Sequence, residues 1–253
     1  LNSFIYFIGA ARDSNNKQIG VFVKFNTNGD TLWQKIYRDT LEDIIPQMVT
    51  ASVDGGFLIT GFFQNWVNHT QPCLLIKTDI NGNELWRKRL HKTTNPNVSD
   101  GKAIVQDSAS KKIVLTGYQY LNGNNIHERI LILDSLGNIL SNPYYANSAG
   151  AVIRDLIQTK DKKFVLSGAT YDGQTIGGYN LHKAYVVKLD IDSPTNPIWK
   201  VEIDKLTLNN SAHCIRELDN GDILVAGDLD TAGIMNKVDH ILTRIIKIGS
   251  NGI

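Results

Sequence analysis

Four histidines fall at similar places in successive parts of the chain: His69, His127, His182 and His240. Neutral imidazoles that converge on one point are common metal ligands. No closely spaced HxH or HxxxH pair accompanies them, and solvated loop histidines are therefore the favoured interpretation. The sequence predicts no metal site and no other cofactor.

Two carboxylates close together, Asp228 and Asp230, have the spacing of an acid–base pair or a calcium ligand set. Two loop carboxylates are more often simply solvated, which is the favoured interpretation here. The motifs GxSxG, HExxH and GxxxxGK[ST] are absent from the sequence. No catalytic residue is predicted, and whether the protein is an enzyme stays open, with a non-enzyme favoured.

Large aromatic residues accompany these polar groups: Trp66, Tyr118, Tyr120, Tyr171 and Tyr179. Exposed Trp and Tyr are typical of surfaces that contact proteins or glycans. They are equally typical of side chains that fold back over the edge of a core. Both interpretations stay open at this stage.

Charge and hydropathy exclude several classes of protein. The 253 residues carry 26 basic and 25 acidic side chains without a block of either sign, which argues against a nucleic-acid partner. The apolar runs are strand-sized, so no direct insertion into a membrane is predicted. Cys73 and Cys214 lie far apart. A disulfide between them stays open, but two buried free thiols are favoured.

A repeated phrase organises the whole chain. "VFVKFNTNGDTLW" at 21–33 returns as "LLIKTDINGNELW" at 74–86, and altered copies follow at intervals of about 55 residues. A second landmark recurs in phase with it, as apolar tripeptides or similar segments that end at a glycine. These glycines are Gly9, Gly61, Gly117, Gly168 and Gly227.

Each repeat contains four short segments rich in Val, Ile, Leu and Phe, separated by Gly, Asn and Asp turns, which predicts antiparallel strands. Repeats of this length with four strands are typical of a β-propeller. We therefore predict an all-β propeller with five visible four-stranded blade units, the first and last incomplete. It forms a single domain over 1–253, which we expect to be a segment of a longer polypeptide.

The pattern "DGGF…LITG…LLIKTDINGNELW" resembles propeller repeats of secreted and surface proteins of Bacteroidota-type bacteria, many of them type IX secretion cargo. The resemblance implies an extracellular or cell-surface location. Its D-x-x-G-x-x-x-W portion is similar to the tryptophan-docking motif of quinoprotein-type propellers. There the Asp and Gly shape a turn and the Trp packs against the neighbouring blade. The matching positions here are Gly29, Trp33, Asp79, Gly82, Trp86 and Trp199, whereas the third unit has Ser141 in place of Trp.

Loop length predicts which face binds. Turns between strands one and two and between three and four are short, while the connections between strands two and three are long and varied, as binding loops are. The main hypothesis is a non-enzymatic extracellular propeller that binds a protein partner or belongs to a larger surface assembly. The alternative is a carbohydrate-binding or glycan-cleaving propeller. The candidate binding residues are Trp66, His69, Tyr118, Tyr120, His127, Tyr171, Tyr179, His182, Asp228 and Asp230.

Five Asp-Ser or Asp-Thr pairs precede a small or aliphatic residue, the pattern at which bacteria of this kind attach O-glycans. The same pairs are favoured in turns because their side chains bond the local backbone. The candidate sites are Thr31, Thr40, Ser108, Ser135 and Thr231.

Overall fold

The computed structural model describes residues 3–67, 70–90, 99–121, 125–142, 152–176, 179–203, 210–230 and 241–253. These residues form eighteen strands in five antiparallel sheets. They include no helix that is long and apolar enough to cross a membrane.

The sheets follow one another along the chain and are called blades 1 to 5. Blade 1 contains β1 (Ile5–Arg12), β2 (Gln18–Phe25) and β3 (Thr31–Tyr37). Blade 2 contains β4 (Asp43–Ala51), β5 (Phe57–Gln64), β6 (Cys73–Thr78) and β7 (Glu84–Leu90). Blade 3 contains β8 (Ser99–Gln106), β9 (Ile113–Leu121), β10 (Asn125–Leu133) and β11 (Ile139–Ser141). Blade 4 contains β12 (Val152–Gln158), β13 (Phe164–Ile176), β14 (Tyr179–Leu189) and β15 (Trp199–Ile203). Blade 5 contains β16 (Asn210–Glu217), β17 (Ile223–Asp230) and β18 (Ile241–Ile248).

The blades are arranged as a β-propeller, which confirms the predicted fold class. The first strands of blades 2 to 5, here called the inner strands, are β4, β8, β12 and β16, and each packs against the next. Blade 1 has three described strands that correspond to the second, third and fourth of a full blade. Blade 5 has three that correspond to the first, second and third.

The hydrophobic core lies between the blades. Four clusters of buried side chains each join two successive blades. Neighbouring residues of one strand serve different clusters: Leu58 packs toward blade 3 while Ile59 packs toward blade 1. The middle strands are therefore covered on both faces, which explains why they are apolar throughout and do not alternate.

The repeated glycine makes room for a β-bulge. Each inner strand carries one extra residue at the same place, opposite the glycine of the second strand. A methyl group at Gly117 would lie 1.9 Å from the carbonyl oxygen of Asp100, and one at Gly61 would lie 2.1 Å from that of Ile45. Only glycine lets the bulged backbone come so close.

The repeated glycines lie inside the second strands, several residues before the strands end. Gly117 lies in the middle of β9, which continues to Leu121, and Gly168 lies well inside β13, which continues to Ile176. The glycine marks a close approach of two strands rather than the start of a turn.

The tryptophan of one blade packs on the turn glycine of the next. An added methyl at Gly82 would meet the Trp33 ring at 2.9 Å, and one at Gly137 would meet the Trp86 ring at the same distance. Both glycines have positive φ, near 75° and 78°. Trp33 and Trp86 are half-buried in this seat, since their outer edges reach solvent.

The departures from the repeat are matched across one blade boundary. Blade 3 has Ser141 where the other complete blades have Trp, and the facing turn of blade 4, residues 190–198, contains no glycine. At the next boundary both partners are present, because Trp199 packs on Gly252. The boundary that lacks the tryptophan therefore also lacks the glycine turn that would receive it.

Asp79 and its counterparts close the turns between the third and fourth strands. The Asp79 carboxylate accepts hydrogen bonds from the backbone N–H groups of Asn81 and Asn83, at 2.9 and 2.8 Å. Asp134 accepts the same pair of bonds in blade 3. The Asn83 side chain also donates to Asp79, which lowers the pKa of that carboxyl group. Both cysteines are free, with Cys73 buried and Cys214 half-buried.

We expect Gly117→Ala to lower the free energy of unfolding by about 3 kcal/mol, because the new methyl group meets a backbone carbonyl that cannot rotate away. For a chain of this size the melting temperature should fall by roughly 5–10 °C. Thermal unfolding followed by circular dichroism measures the change.

The matched control is Gly9→Ala in blade 1, where the new methyl group would meet only the Phe7 ring of the same strand. That side chain can move, so we expect a loss of less than about 1 kcal/mol. Equal losses at Gly9 and Gly117 would contradict the role assigned to the bulge.

Candidate functional site

The connections predicted as long loops in blades 3 and 4 are largely strand. β9 and β10 continue to residues 121 and 125, and β13 and β14 continue to residues 176 and 179. A register irregularity between Tyr171 and Thr175 lets β13 pass through its Asp-Gly pair without ending. The predicted binding face therefore consists partly of paired strands rather than loops.

Most of the predicted binding residues lie on these strands. Tyr118 and Tyr120 are on β9, His127 is on β10, Tyr171 is on β13, Tyr179 and His182 are on β14, and Asp228 and Asp230 are on β17. Of all the predicted binding residues, the structure describes the side chains of three, which are Trp66, His182 and Asp228. His69, with Thr231 from the glycosylation candidates, lies outside the described residues.

Trp66 lies on the surface of blade 2, with 62% of its area exposed. Its indole Nε1 donates a hydrogen bond of 2.8 Å to Oδ2 of Asp43, at the start of β4. It belongs to blade 2, whereas Asp228 belongs to blade 5. The ring is thus held at its polar end and offers its apolar face to solvent.

The bulges of the inner strands carry a set of polar residues that sequence reasoning missed. The extra residue is Gln47 in β4, Lys102 in β8, Arg154 in β12 and His213 in β16. Gln47, Arg154 and His213 are exposed, and Lys102 is half-buried. Inner strands line the central channel of a propeller, and a bulge re-aims the side chain that it adds. The only signal in the sequence was a polar residue shortly before each repeat's apolar strand.

The bulge residues of blades 2 and 3 contact one another. Lys102 Nζ donates to Oε1 of Gln47 at 2.8 Å and lies 2.6 Å from Oδ2 of Asp100. Gln47 Nε2 donates to the same carboxylate oxygen at 3.2 Å. Blades 2 and 3 are therefore joined in the channel by a small polar network around a buried carboxylate.

The carboxylates of the inner strands mostly serve the structure. Asp43 Oδ1 accepts from the backbone N–H of Gln18, which joins blades 1 and 2. Asp155 Oδ2 accepts from the backbone N–H of Ile215 at 2.9 Å, which joins blades 4 and 5. Asp228, on β17, lies 3.0 Å from Nε2 of His213.

A small pocket, partly open to solvent, lies between blades 4 and 5, at the end where β15 and β17 finish and β16 begins. Its walls combine aliphatic side chains with a few polar groups and one glycine. The lining residues are Ala184, Ile203, Asn210, Ser211, Ala212, Val225, Gly227, Asp228, Arg244 and Ile246.

Two polar groups of this pocket are buried without a hydrogen-bond partner among the described residues: Nδ2 of Asn210 and Oγ of Ser211. Asn210 is 5% exposed, and its Oδ1 accepts a hydrogen bond from the backbone N–H of Ala184. That bond fixes the amide with its NH₂ group unpaired. Buried polar groups are nearly always paired, and a ligand or an ordered water would supply the partners that these two groups lack among the described residues.

Glu128 is a different kind of buried carboxyl group. It lies on β10, wholly buried, and accepts a hydrogen bond of 2.5 Å from the Tyr185 hydroxyl of blade 4. Burial raises its pKa to about 8, against the smaller opposing effects of Tyr185 and Lys200. It is neutral at pH 7 and fastens two blades together.

The predicted glycosylation sites and any metal site can also be compared with the structure's described side chains. No group of three His, Cys, Asp or Glu side chains suited to a metal ion occurs in the described ranges. Four glycosylation candidates are exposed, at turns or at the start of a strand: Thr31, Thr40, Ser108 and Ser135. The Asp residues before Ser108 and Ser135 bond the local backbone, as the turn interpretation expects.

Comparison with known proteins identifies the fold. Neither the protein-family models nor the curated proteins gave a match. Among solved structures, an α-L-arabinanase from Penicillium chrysogenum in complex with arabinobiose is similar over 89% of this chain and 77% of its own, at 9% identity and a TM-score of 0.59. NanB sialidase from Streptococcus pneumoniae matches 89% of this chain and 38% of its own, at 11% identity and a TM-score of 0.57.

An exo-β-1,3-galactanase from Phanerochaete chrysosporium, solved with β-1,3-galactotriose, covers 98% of this chain and 58% of its own, at 13% identity and a TM-score of 0.51. At such identities the likeness establishes the propeller fold alone. The resemblance to Bacteroidota repeats, the surface location and the secretion route stay predictions.

We expect Glu128→Gln to remove a pH dependence of stability. The folded-state pKa of Glu128 is raised from 4.5 to about 8, so the unfolded chain releases this proton first as the pH rises. The contribution of Glu128 is therefore complete below about pH 4.5 and is lost progressively up to about pH 8. The variant keeps an acceptor for Tyr185 and cannot ionise.

Urea unfolding of both proteins at several pH values between 5 and 8 measures this difference. The difference in stability between the variant and the parent protein should shift in favour of the variant from pH 5 to pH 8. Parallel stability profiles for the two proteins would show that Glu128 titrates normally. Glu202→Gln, which removes an exposed carboxylate of β15 that pairs with Lys200, is the control and should leave the profile unchanged.

Proposed function

We propose that the protein binds carbohydrate, through the pocket between blades 4 and 5. The observation that carries this proposal is the pair of buried hydrogen-bonding groups on Asn210 and Ser211, which have no partner among the described residues and lie in a pocket with aliphatic walls. A sugar ring suits such a pocket. Its hydroxyls can donate hydrogen bonds to the polar groups and accept hydrogen bonds from them, and its apolar C–H faces can pack against the aliphatic walls.

The pocket has further polar groups that suit a sugar. Asp228 and Arg244 stand at its wall and add an acceptor and donors beside Asn210 and Ser211. The similar solved structures with the higher scores are an arabinanase, a sialidase and a galactanase, which agrees with this class of ligand.

Binding is better supported than cleavage. Hydrolysis of a glycosidic bond generally needs two carboxyl groups that flank one point in space. In the part of the chain that the structure describes, Asp43, Asp100 and Asp155 are held by donors from neighbouring strands or blades. Asp228 is the one carboxylate lining the pocket, and it is paired with His213.

The earlier hypothesis of a protein-binding module has one observation in its favour. Trp66 and Val67 of blade 2 are exposed next to each other, at 62% and 92%. Such a pair suits a small apolar contact with a protein. It lies in another blade from the pocket, so the two hypotheses can be tested with separate variants.

We expect Ser211→Ala to weaken glycan binding roughly tenfold, the effect of one lost hydrogen bond of about 1–1.5 kcal/mol. The free protein should be unchanged or slightly more stable, because the substitution removes a buried hydroxyl that has no partner in the described part of the chain. Isothermal titration with arabino- and galacto-oligosaccharides and a parallel thermal melt measure the two effects.

The matched control is Ser14→Ala in the exposed turn between β1 and β2, which should change neither affinity nor stability. A Ser211→Ala protein that melts earlier would show that the hydroxyl serves the fold. Unchanged affinity in a protein that does bind glycan would place the site elsewhere, with Trp66→Ala as the next variant to compare.

A further inference from the structure

Blades 1 and 5 each present one sheet face that is open to solvent. Every blade has a rear face toward the preceding blade and a forward face toward the next, and each core cluster lies where a forward face meets a rear face. Among the described residues, none of these clusters joins blade 5 to blade 1. The open faces are therefore the rear face of blade 1 and the forward face of blade 5.

The rear face of blade 1 is apolar and uncovered. Tyr6 of β1 packs toward blade 2, so Ile5 and Phe7, its neighbours in the strand, point to the other side. Phe7 is 55% exposed, whereas Ile59, which precedes its repeated glycine by the same two positions, is 0% exposed. Blade 1 thus exposes at this position the type of side chain that blade 2 buries.

The turn between β2 and β3 shows the same lack of cover. An added methyl group at Gly29 would meet no described atom within 4 Å beyond its chain neighbours. Its counterparts Gly82 and Gly137 are each covered by the tryptophan of the preceding blade. The rear side of blade 1 is therefore open from β1 to this turn.

The forward face of blade 5 is open in the same way. Ile246 of β18 packs toward blade 4, so Ile245 and Lys247 point to the other side. Ile245 is 67% exposed, whereas Leu75, at the equivalent place in the pairing of β5 with β6, is 0% exposed. This face exposes a position that a complete blade boundary buries.

A repeated ion pair identifies the forward face of blade 5 as one half of such a boundary. Lys77 of blade 2 pairs with Asp54 and is buried, and Lys188 of blade 4 is buried in a similar pair. Lys247 pairs with Asp222 at 3.2 Å in blade 5, but this lysine is exposed. Because the lysine already has its counter-ion, the face can be covered without burying an unpaired charge.

The two open faces are complementary halves of one kind of interface. The chain forms this interface four times, each time between a forward face and the rear face of the next blade. Blade 5 offers a further forward face, and blade 1 offers a further rear face. The boundary between blades 3 and 4 shows that such an interface forms without the tryptophan.

We infer that copies of this protein associate head to tail, with the forward face of blade 5 of one copy packed on the rear face of blade 1 of the next. The occupant of each open face is a second copy of the chain. Burial of Ile5, Phe7 and Ile245 drives the association. A contact between two different faces is heterologous, so it continues from copy to copy unless a ring closes.

Sedimentation velocity of the full chain at increasing concentration tests this association. We expect the average mass to rise beyond that of a dimer, because a dimer still has one open face of each kind. Phe7→Glu disables the face of blade 1, and Ile245→Glu disables that of blade 5. Each should weaken self-association by about a hundredfold or more, because the contact would bury a carboxylate without a partner.

An equimolar mixture of the two variants gives the sharpest result. Phe7→Glu keeps the face of blade 5 and Ile245→Glu keeps the face of blade 1, so the mixture should form a dimer with one copy of each and nothing larger.

Leu41→Glu places the same charge on an exposed residue between blades 1 and 2 and is the matched control, which should associate like the parent protein. The three replaced side chains are all exposed, so the melting temperatures should stay close to that of the parent. Ile5→Glu is a second variant of the blade 1 face, in case Phe7→Glu does not fold.

Three results would overturn the inference. A monomer at every concentration would show that neither face binds a second copy. A dimer that Phe7→Glu abolishes and Ile245→Glu leaves intact would show that blade 1 pairs with blade 1 of the other copy. A mixture of the two variants that stays monomeric would show that the two faces do not bind each other.

Discussion

The close approach of a bulged inner strand to a glycine is the constraint on which the rest of the structure depends. It fixes the register between the first and second strands of four blades, since the extra residue fits only where the facing strand has no side chain. Register in turn decides which face of each strand meets the next blade. One-residue slippage would exchange Leu58 and Ile59 between two different core clusters.

The same constraint gives the protein a chemical surface. A regular inner strand would alternate its side chains between the two neighbouring blades, with little left for the channel. The bulge adds a residue whose side chain is not needed for packing between blades, so the type of residue can vary from blade to blade. Gln47, Lys102, Arg154 and His213 differ in type for this reason. Structural uniformity and chemical variety thus occur at one position of the fold.

Much of the architecture could be predicted from the sequence, because blade boundaries leave local marks. Asp79 and Gly82 predict a turn, and the apolar run before them predicts a strand covered on both faces. The projecting hairpin of blade 4 escaped prediction because its Asp-Gly and Gly-Gly pairs are ordinary turn signals. A register irregularity absorbs the first of these pairs, and this depends on pairing with β14 rather than on local preference.

The candidate site was less accessible to sequence reasoning. Asp228 was recognised, but Asn210 and Ser211 were not, because an Asn-Ser pair at the start of a strand carries no distinguishing pattern. Their importance appears only when two blades meet and leave their polar atoms buried. Bulge residues are similarly invisible until strand pairing shows which residue is the extra one.

The tryptophan and glycine at three of the four blade boundaries also bear on how the number of blades can change. Duplicating blade 2 would create a new boundary whose two sides match, because Trp86 would face another copy of Gly82. Excising blade 3 would instead bring Trp86 against the glycine-free turn 190–198 of blade 4. The contacts at the blade boundaries therefore permit some rearrangements of the repeat and obstruct others. Blades of similar shape are not interchangeable, because the tryptophan of each must match the turn of the next blade.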